Sequence, residues 1–346
     1  MKKDKNILIT GASGLAGSHI AQYFSKYEKN LFCLVRKGSD ISFIKDLPVK
    51  IIYGDILDPK GLETIFAGMD WIIHTAAKVT DWGNLDDYIQ TNVTGTENVL
   101  NAVLRNNIKN VIITGSVSSY GEENSTVLKD ETCPFSSHYP YAFDRFLPAG
   151  MNHYRDTKAE STRRSMAFAM QHGINLTVIE PVWIFGENES RSGFYEYLQI
   201  ARSGMPFMPG SKSNTFHVIY APELARAYYL AFQKELTGTH RIIIGNRTPE
   251  NMQHIYGLFC MEAGLKQPRL IPKWAIYPVA LAMEGIYQLL KCRNHPILMR
   301  SRVNMFYDSI GFSTKNAERL IGFTNGVDLE TGISNTVQWY KKNNRI

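Results

Sequence analysis

The first third of the chain alternates between short apolar runs and longer stretches in which apolar residues recur every three or four positions. The apolar runs are Asn6–Thr10, Leu31–Val35, Val49–Tyr53, Trp71–His74 and Asn110–Thr114. The longer stretches, such as Leu15–Ser25 and Leu85–Arg105, have the spacing of amphipathic helices. Short strands that alternate with helices predict an α/β fold with a doubly wound parallel sheet and right-handed crossovers.

Three glycines, Gly11, Gly14 and Gly17, follow the first apolar run directly. Their spacing, G-x-x-G-x-x-G, differs from the G-x-G-x-x-G of the standard dinucleotide-binding fingerprint, and an ordinary glycine-rich turn is the alternative. The context favours a phosphate loop, because a predicted strand precedes the glycines and a predicted helix follows them. The open N-terminus of that helix, with its free N–H groups and its dipole, would bind a pyrophosphate.

The predicted strand ends carry residues suited to a ligand, namely Thr10, Arg36, Asp55, Ala76 and Ser116. In a doubly wound sheet the carboxyl ends of the strands border one crevice, so we expect these residues to converge there. Arg36 stands where an acidic residue would bind a ribose 2′-hydroxyl, and its charge favours a 2′-phosphate and hence NADP over NAD. The alternative for Arg36 is a solvated arginine. Asp55 would either accept the adenine amino group or cap a turn.

Tyr154 and Lys158, four positions apart, open a predicted helix that extends to about Gln171. Residues at this spacing share one face of a helix, so both side chains can face the crevice. A nearby ammonium would lower the pKa of the phenol from about 10 towards 7, which takes roughly 4 kcal/mol. Ser116 would hold a carbonyl oxygen that Tyr154 protonates. A similar pattern at 141–145 lies in a loop between two prolines, and we reject it.

Composition narrows the class of protein and of partner. Lys and Arg number 38 against 32 Asp and Glu, a formal charge of +6 without a long basic block, so no nucleic-acid partner is expected. The four cysteines are scattered without a C-x-x-C pair, which predicts neither a metal site nor disulfides and favours a reducing, cytoplasmic compartment. The apolar run after Met1–Lys5 is too short for the core of an export signal.

Beyond Glu187 the regular alternation ends. A stretch rich in aromatic residues and methionine, 194–208, would wall an apolar pocket or simply pack in the core. The run Trp274–Leu290 has one charge, Glu284, and would form about 25 Å of helix, too short to span a bilayer, which a proline and a glycine would interrupt. We expect this run to cap the substrate pocket or, alternatively, to contact a membrane surface.

Several segments together resemble the extended short-chain dehydrogenase/reductases, and within them the 3β-hydroxysteroid dehydrogenase-like branch of the NAD-dependent epimerase/dehydratase superfamily. The segments are TGASGLAG (10–17), GDILD (54–58), HTAAKVTDWG (74–83), NVTGT (92–96), GSVSSYG (115–121), YRDTK (154–158), EPVWIFG (180–186), VIYAPELARA (218–227) and GISNTVQWY (332–340). We therefore expect a Rossmann domain at 1–186, with a lid-like insertion at about 122–153. A smaller, mostly helical substrate-binding region would occupy 187–346 and be interleaved with the sheet around 214–245.

The resemblance also implies roles for individual residues. It makes Ser116, Tyr154 and Lys158 the catalytic serine, tyrosine and lysine, with Lys158 also holding the nicotinamide ribose. The cofactor-binding residues are then Arg36 and Lys158 together with Gly11, Ser13, Gly14, Leu15, Asp55, Ile56, Ala76, Ala77, Pro181 and Ile184. Relatives dimerise through two helices that correspond to 85–105 and 154–171, so a homodimer is expected.

Three departures from the family indicate the subtype. The residues that follow Ser116 are not acidic, unlike those of relatives that dehydrate nucleotide sugars. Phe185, Gly186 and Phe216 stand near the places where sugar-nucleotide epimerases have an asparagine and an arginine, so no evident group remains to clamp a diphosphate. An apolar substrate is therefore expected. Glu180 replaces an arginine of many relatives, and the sequence offers no reason for it.

The sequence thus predicts an oxidoreductase that uses NADP(H), or alternatively NAD(H), to interconvert a secondary alcohol and a ketone on a lipophilic substrate. The expected substrates are steroid-like molecules or β-hydroxy and β-keto acyl compounds. One alternative is a sugar-nucleotide epimerase that retains NAD, and another is a non-enzymatic dinucleotide-sensing regulator. A cytoplasmic protein is expected, with peripheral membrane contact through 274–290 as a further alternative. The sequence leaves the substrate, the direction of reaction and the oligomeric state open.

Overall fold

A parallel β-sheet organises the N-terminal part of the protein. The computed structural model describes residues 4–121, 124–125, 127–189 and 193–346. The strands are β1 (Ile7–Thr10), β2 (Leu31–Val35), β3 (Lys50–Tyr53), β4 (Trp71–His74), β5 (Asn110–Thr114), β6 (Asn175–Pro181), β7 (Trp183–Phe185), β8 (Phe207–Pro209), β9 (Thr215–Phe216), β10 (Val218–Tyr220), β11 (Thr239–Ile244), β12 (Glu250–Asn251) and β13 (Arg269–Ile271). The helices are α1 (Leu15–Phe24), α2 (Pro59–Ile65), α3 (Leu85–Tyr88), α4 (Gly95–Arg105), α5 (Gly150–His172), α6 (Gly193–Arg202), α7 (Ala221–Lys234), α8 (Met252–Ala263), α9 (Lys273–Leu289), α10 (Arg300–Met305), α11 (Lys315–Ile321) and α12 (Leu329–Lys342).

Seven strands pair in parallel in the order β11-β6-β5-β4-β1-β2-β3. Side chains of β1 alternate between the two faces of this sheet, since Ile7 and Ile9 belong to one buried apolar cluster and Leu8 to another. Helices α1 and α7 pack on the first face, and α2, α4 and α5 pack on the second. Strand β1 lies between β2 and β4, so a crevice forms at the carboxyl ends of these strands. The predicted doubly wound α/β fold is confirmed.

The C-terminal part returns to the sheet through one strand, β11, which pairs with β6 at the edge. The other strands of this part form short pairs, β7 with β10, β8 with β13 and β9 with β12. Around them, α8 packs against α6 and α12, and α9 packs against α10. Within the predicted interval of 214–245, β11 is thus the strand that enters the main sheet. The domain boundary at 186 stays a prediction.

Two predicted helices begin or run differently from expectation. Helix α5 begins at Gly150, not at Tyr154, after an extended N-cap at Ala149. The early turn has no clear sequence signal because glycine, asparagine and histidine are weak helix formers. Between α3 and α4 the helix continues through a π-helical turn, Ile89–Thr94, which the apolar spacing of 85–105 does not reveal.

Helix α9 runs without a break through Pro278 and Gly285, so the expected interruption is wrong. Pro278 lies early in the helix, and the bond that it cannot donate would have gone to the carbonyl of Trp274 in the exposed first turn. Water can bind that carbonyl, so the cost of the proline is small here. Among the described residues, the helices are all too short or too polar to cross a bilayer.

Candidate active site

A cleft of about 1070 Å³ lies at the carboxyl ends of the sheet strands, and its volume is just above the usual range of small-molecule sites. It is lined by every residue that the sequence analysis assigned to catalysis or to the cofactor: Gly11, Ser13, Gly14, Leu15, Arg36, Asp55, Ile56, Ala76, Ala77, Ser116, Tyr154, Lys158, Pro181 and Ile184. The structure therefore brings the predicted set together. The role of each residue stays a prediction.

The glycine loop at one end of the cleft has no room for side chains. Gly11 has a φ of +69°, and a Cβ there would lie 2.6 Å from the backbone nitrogen of Ala76. A Cβ on Gly17 would lie 2.3 Å from the carbonyl oxygen of Gly11. Gly14 is the N-cap of α1 without a side-chain cap, and the first turn has no acidic residue. The N–H groups and the positive end of the helix dipole thus suit a pyrophosphate.

The residues predicted to bind adenosine follow β2 and β3. Arg36 is exposed and lines the cleft. Asp55 also lines the cleft, but one of its carboxylate oxygens accepts a hydrogen bond from the backbone of Leu57 at 2.9 Å. The turn-capping role that was the alternative for Asp55 is therefore real, and it leaves the second carboxylate oxygen for a ligand. Ile56 lines the cleft as well, and its carbonyl accepts a bond from the side-chain amide of Asn98 at 3.0 Å.

The exit of β4 is held against its neighbours by side-chain bonds to the backbone. Thr75 donates from its hydroxyl to the carbonyl of Thr10 at 2.7 Å. Asn92, in the π-helical turn, accepts a bond from the N–H of Lys78 at 2.7 Å and donates to the carbonyl of the same residue at 3.2 Å. Its amide also donates to the hydroxyl of Thr157 in α5 at 3.2 Å. The segment that contains Ala76 and Ala77 is thus fixed at both ends.

Strand β5 and helix α5 place the predicted catalytic residues. The Oγ atom of Ser116 accepts a bond from the N–H of Ser118 at 3.2 Å and lies 2.8 Å from the hydroxyl of that residue. Tyr154 is half-buried, one helical turn before Lys158. The Nζ atom of Lys158 donates to the carbonyl of Thr114 at 2.5 Å. This bond fixes the ammonium between the end of β5 and the face of α5 that carries Tyr154.

A buried acid, Glu180 in β6, acts on the charge of Lys158. Burial lowers the pKa of Lys158 to about 8, and the charge of Glu180 opposes that shift. Glu180 accepts bonds from the hydroxyl of Tyr120 at 2.6 Å and from Nε of Arg241 at 3.1 Å. Burial raises the pKa of Glu180 to about 7. The residue that the sequence left without a reason is therefore the buried partner of an arginine in the neighbouring strand β11.

The opposite end of the cleft contains a charged cluster that the sequence analysis missed. Arg302 in α10 donates to the two carboxylate oxygens of Asp81 at 2.7 and 3.2 Å and to Glu196 in α6 at 2.7 Å. His295 lies 3.3 Å from Glu196, and its hydrogen bond to that carboxylate raises the pKa of the imidazole. Asp81 and Arg302 are 221 positions apart, so no local pattern could have revealed the pair.

One expectation about this end needs correction. A basic group does face the substrate region, since Arg302 and Lys78 both line the cleft. Each is paired with carboxylates, Lys78 with Asp87 at 2.8 Å, so neither offers an isolated positive charge. The apolar part of the wall is formed by Val79, Met151, Trp183, Tyr197, Met305, Ile310 and Phe312. Of the stretch 194–208, Tyr197 lines the cleft, whereas Phe194 and Met208 are core residues.

Helix α9 does not cap this cleft directly. Of the described residues, those that line the cleft near α9 belong to α10, which lies against α9. In the predicted lid, 122–153, Met151 is the lining residue among those that the structure describes, and it belongs to α5. A lid function of the remaining insertion stays a prediction.

Comparison with known proteins gives concordant matches. A profile of the NAD dependent epimerase/dehydratase family matches residues 7–245. The chain is 26% identical over 336 residues to the 2-alkyl-3-oxoalkanoate reductase of Stenotrophomonas maltophilia, which covers 94% of this chain and 97% of that protein. It is 25% identical over 354 residues to the decarboxylating sterol-4-alpha-carboxylate 3-dehydrogenase of Candida albicans, with 97% of each protein covered. The fold resembles that of a UDP-N-acetylglucosamine 4-epimerase from Methanobrevibacter ruminantium in complex with UDP-N-acetylmuramic acid, with a TM-score of 0.74, 19% identity and 99% of both chains covered.

Proposed function

The chain belongs to the NAD-dependent epimerase/dehydratase family, in the 3β-hydroxysteroid dehydrogenase-like branch of the extended short-chain dehydrogenase/reductases, and we propose that it interconverts a ketone and a secondary alcohol on a lipophilic carboxylic acid. The predicted enzyme class, a dehydrogenase or reductase that acts on CH–OH and keto groups, is confirmed. The substrate, the roles of the site residues and the preference for NADP(H) are parts of the proposal.

The proposal is carried by the position of Ser116, Tyr154 and Lys158 on the same cleft as the glycine loop. The ammonium of Lys158, one turn from Tyr154, favours the phenolate, so the phenol can give a proton to a substrate oxygen or take one back. The hydroxyl of Ser116 donates a hydrogen bond to the same oxygen. A bound nicotinamide supplies or accepts the hydride. The protein contributes the acid, the polarisation of the carbonyl and the alignment of both reactants.

The names of the two relatives support the choice of substrate. One acts on a 3-oxoalkanoate, and the other is a 3-dehydrogenase of a sterol that has a carboxylate on carbon 4. In both, the carbon that reacts is the β-carbon of a carboxylic acid. The apolar wall of Tyr197, Met305 and Phe312 suits the hydrocarbon part of such a molecule.

The family description names NAD, and we propose NADP(H) as the preferred cofactor on the basis of Arg36. Arg36 follows β2 at the cleft, where a guanidinium can bind a 2′-phosphate with two hydrogen bonds. NAD(H) would use the same glycine loop and lose that interaction.

The rival function is sugar-nucleotide epimerisation, because one solved structure of similar fold is that of an epimerase. An arginine, Arg302, does line the substrate end of the cleft, yet its guanidinium is bonded to Asp81 and Glu196. Binding a diphosphate there would require these pairs to break. An epimerase would also show no net consumption of added cofactor.

The test is to incubate the protein with NADPH and a panel of β-keto acids, ketosteroids and UDP-sugars, and to follow the absorbance of the reduced cofactor. We expect consumption with the lipophilic β-keto acids. Tyr154→Phe should lower kcat by about 10²- to 10⁴-fold, because the proton donor is lost, and should leave the Kd for NADPH nearly unchanged.

The matched control is Tyr141→Phe, which removes the same hydroxyl from a tyrosine that does not line the cleft. This variant should keep its turnover. Undiminished activity of Tyr154→Phe would contradict the proposed mechanism. The proposed function would be contradicted if no ketone of the panel led to consumption of NADPH.

A further inference from the structure

The outer side of α9 is apolar along its length. The exposed residues from 278 to 290 recur at three- and four-residue intervals and are Pro278, Val279, Ala282, Ile286, Leu289 and Leu290. The one acidic residue of the helix, Glu284, is buried on the other side. A helix at a water-exposed surface is expected to show the opposite arrangement, with its charges outward. This helix is therefore suited to an apolar surrounding.

The loop 141–148 extends the apolar surface beside α9. The loop lies along the helix, because Gln288 donates to the carbonyl of Pro148 at 2.8 Å. Its two phenylalanines, Phe143 and Phe146, are exposed, the latter by 82%. Phe143 has a φ of +61°, a left-handed backbone that costs stability in any residue other than glycine. We define the apolar platform as Phe143, Phe146, Trp274, Ile286, Leu289 and Leu290.

A buried ion pair joins the two parts of the apolar platform. Arg300, which is fully buried, donates from Nε and Nη2 to the carboxylate of Glu284 at 2.8 and 2.9 Å. The same guanidinium donates to the carbonyls of Ala142 at 2.5 Å and Leu147 at 2.6 Å. The buried guanidinium of Arg300 thus holds the loop and the helix together as one unit on their inner side. The exposed side chains are displayed by a fixed backbone and do not belong to a frayed segment.

The charges around the apolar platform are separated by sign. Asp144 and Glu284 are the only acidic residues of 139–150 and 273–298, and both face inward. Asp144 accepts a bond from the N–H of Ala149 at 2.9 Å, and its side chain is 14% exposed. Arg145, Lys291 and Arg293 are exposed at the edges. The outward-facing charge of these two segments is therefore positive.

We propose that the apolar platform docks on an anionic lipid surface, with α9 lying in the plane of the interface. An apolar centre with a basic rim is the arrangement that such a surface binds, through buried apolar area and attraction to acidic headgroups. A second copy of the chain is less well matched, because a symmetric pair would bring the basic rims of both copies together. A shallow recess of about 550 Å³ opens beside Trp274 of the apolar platform and is lined in part by Tyr139 and Tyr277. This recess suits an acyl chain.

The test is co-sedimentation of the purified full chain with vesicles of phosphatidylcholine alone and of phosphatidylcholine mixed with phosphatidylglycerol. We expect binding to the mixed vesicles that weakens with added salt. The double variant Leu289→Glu with Leu290→Glu should lower the partition coefficient by at least about tenfold, since two leucines leave the apolar contact and two negative charges enter it. Lys291→Glu with Arg293→Glu should lose the preference for phosphatidylglycerol.

The control is Met261→Glu, which places one such negative charge on an exposed apolar residue of α8. It should bind vesicles like the unchanged protein. Circular dichroism and NADPH titration will verify that each variant is folded. Equal binding of the Leu289→Glu, Leu290→Glu protein, or no binding of the unchanged protein, overturns the proposal. If the unchanged protein did not bind vesicles but formed a dimer, and the Leu289→Glu, Leu290→Glu protein were monomeric, the occupant would be a second copy of the chain. Because the assay contains no substrate, its result is independent of the proposed redox function.

Discussion

The two ends of the cleft are built in different ways. At the cofactor end, consecutive residues of a single turn, Gly11 to Gly17, form the surface with their backbone. At the substrate end, Arg302 joins Asp81 and Glu196, which lie 221 and 106 positions away from it in the chain. A surface made of backbone depends on the absence of side chains, whereas one made of ion pairs depends on every partner being present. The two ends should therefore fail under different substitutions.

The largest effect is expected from adding one carbon to the glycine loop. In Gly17→Ala the new Cβ would lie 2.3 Å from the carbonyl oxygen of Gly11 and 2.7 Å from the Oγ1 of Thr75, so the turn must shift. We expect a loss of about 3 kcal/mol in unfolding free energy and at least a tenfold rise in the Kd for NADPH. Denaturant unfolding and fluorescence titration measure the two quantities.

The control for that substitution is Gly285→Ala in α9. Its Cβ would lie 3.7 Å from the nearest atom outside the helix, which is ordinary contact. Because alanine favours a helix by up to about 1 kcal/mol over glycine, this variant should be as stable as the unchanged protein or slightly more stable. If Gly17→Ala behaved like Gly285→Ala, the crowded backbone would not be what shapes the cofactor end.

An intermediate effect is expected at the ion pairs. Arg302→Met would leave the largely buried carboxylate of Asp81 without its cation, and would leave Glu196 with His295 as its remaining partner. We expect a loss of about 2–3 kcal/mol in unfolding free energy, with the Kd for NADPH little changed and the KM for the ketone raised. Adding Asp81→Asn and Glu196→Gln to Arg302→Met should restore part of the stability. A Kd for NADPH that rises as much as the KM would show that the two ends are not separate.

The smallest effect is expected at Arg36. Because this side chain is exposed, Arg36→Asp should leave the unfolding free energy within about 0.5 kcal/mol of the original. The ratio of kcat/KM for NADPH to that for NADH should fall by roughly tenfold or more. The reason is that a guanidinium near the 2′-phosphate is replaced by a carboxylate, which has the same sign of charge as the phosphate. An unchanged ratio would assign Arg36 to the solvated surface.

The same contrast explains how much could be predicted from the sequence. The apolar runs of β1 to β5, and the glycine turn between β1 and α1, are local patterns with a direct structural meaning, and the structure confirms these strands and this turn. The pairs of Glu180 with Arg241 and of Arg302 with Asp81 are long-range, and no local pattern in the sequence identifies the partner of either charge. The start of α5 was missed because its first turn has weak helix formers. The expected homodimer through 85–105 and 154–171 and the preference for NADP(H) stay predictions.

The π-helical turn at Ile89–Thr94 has a consequence for how this chain can change by insertion and deletion. Such a turn contains one residue more than a regular helix would need, and removing that residue would rotate what lies on one side of it by about 100° relative to the other. Either Asn92 would lose its hydrogen bond with the backbone of Lys78, or α4 would present a different face to α5. We therefore expect single-residue deletions to be tolerated worse in this turn than in the loops around it. Once a residue has been inserted into this helix, its later deletion would therefore be disfavoured during evolution.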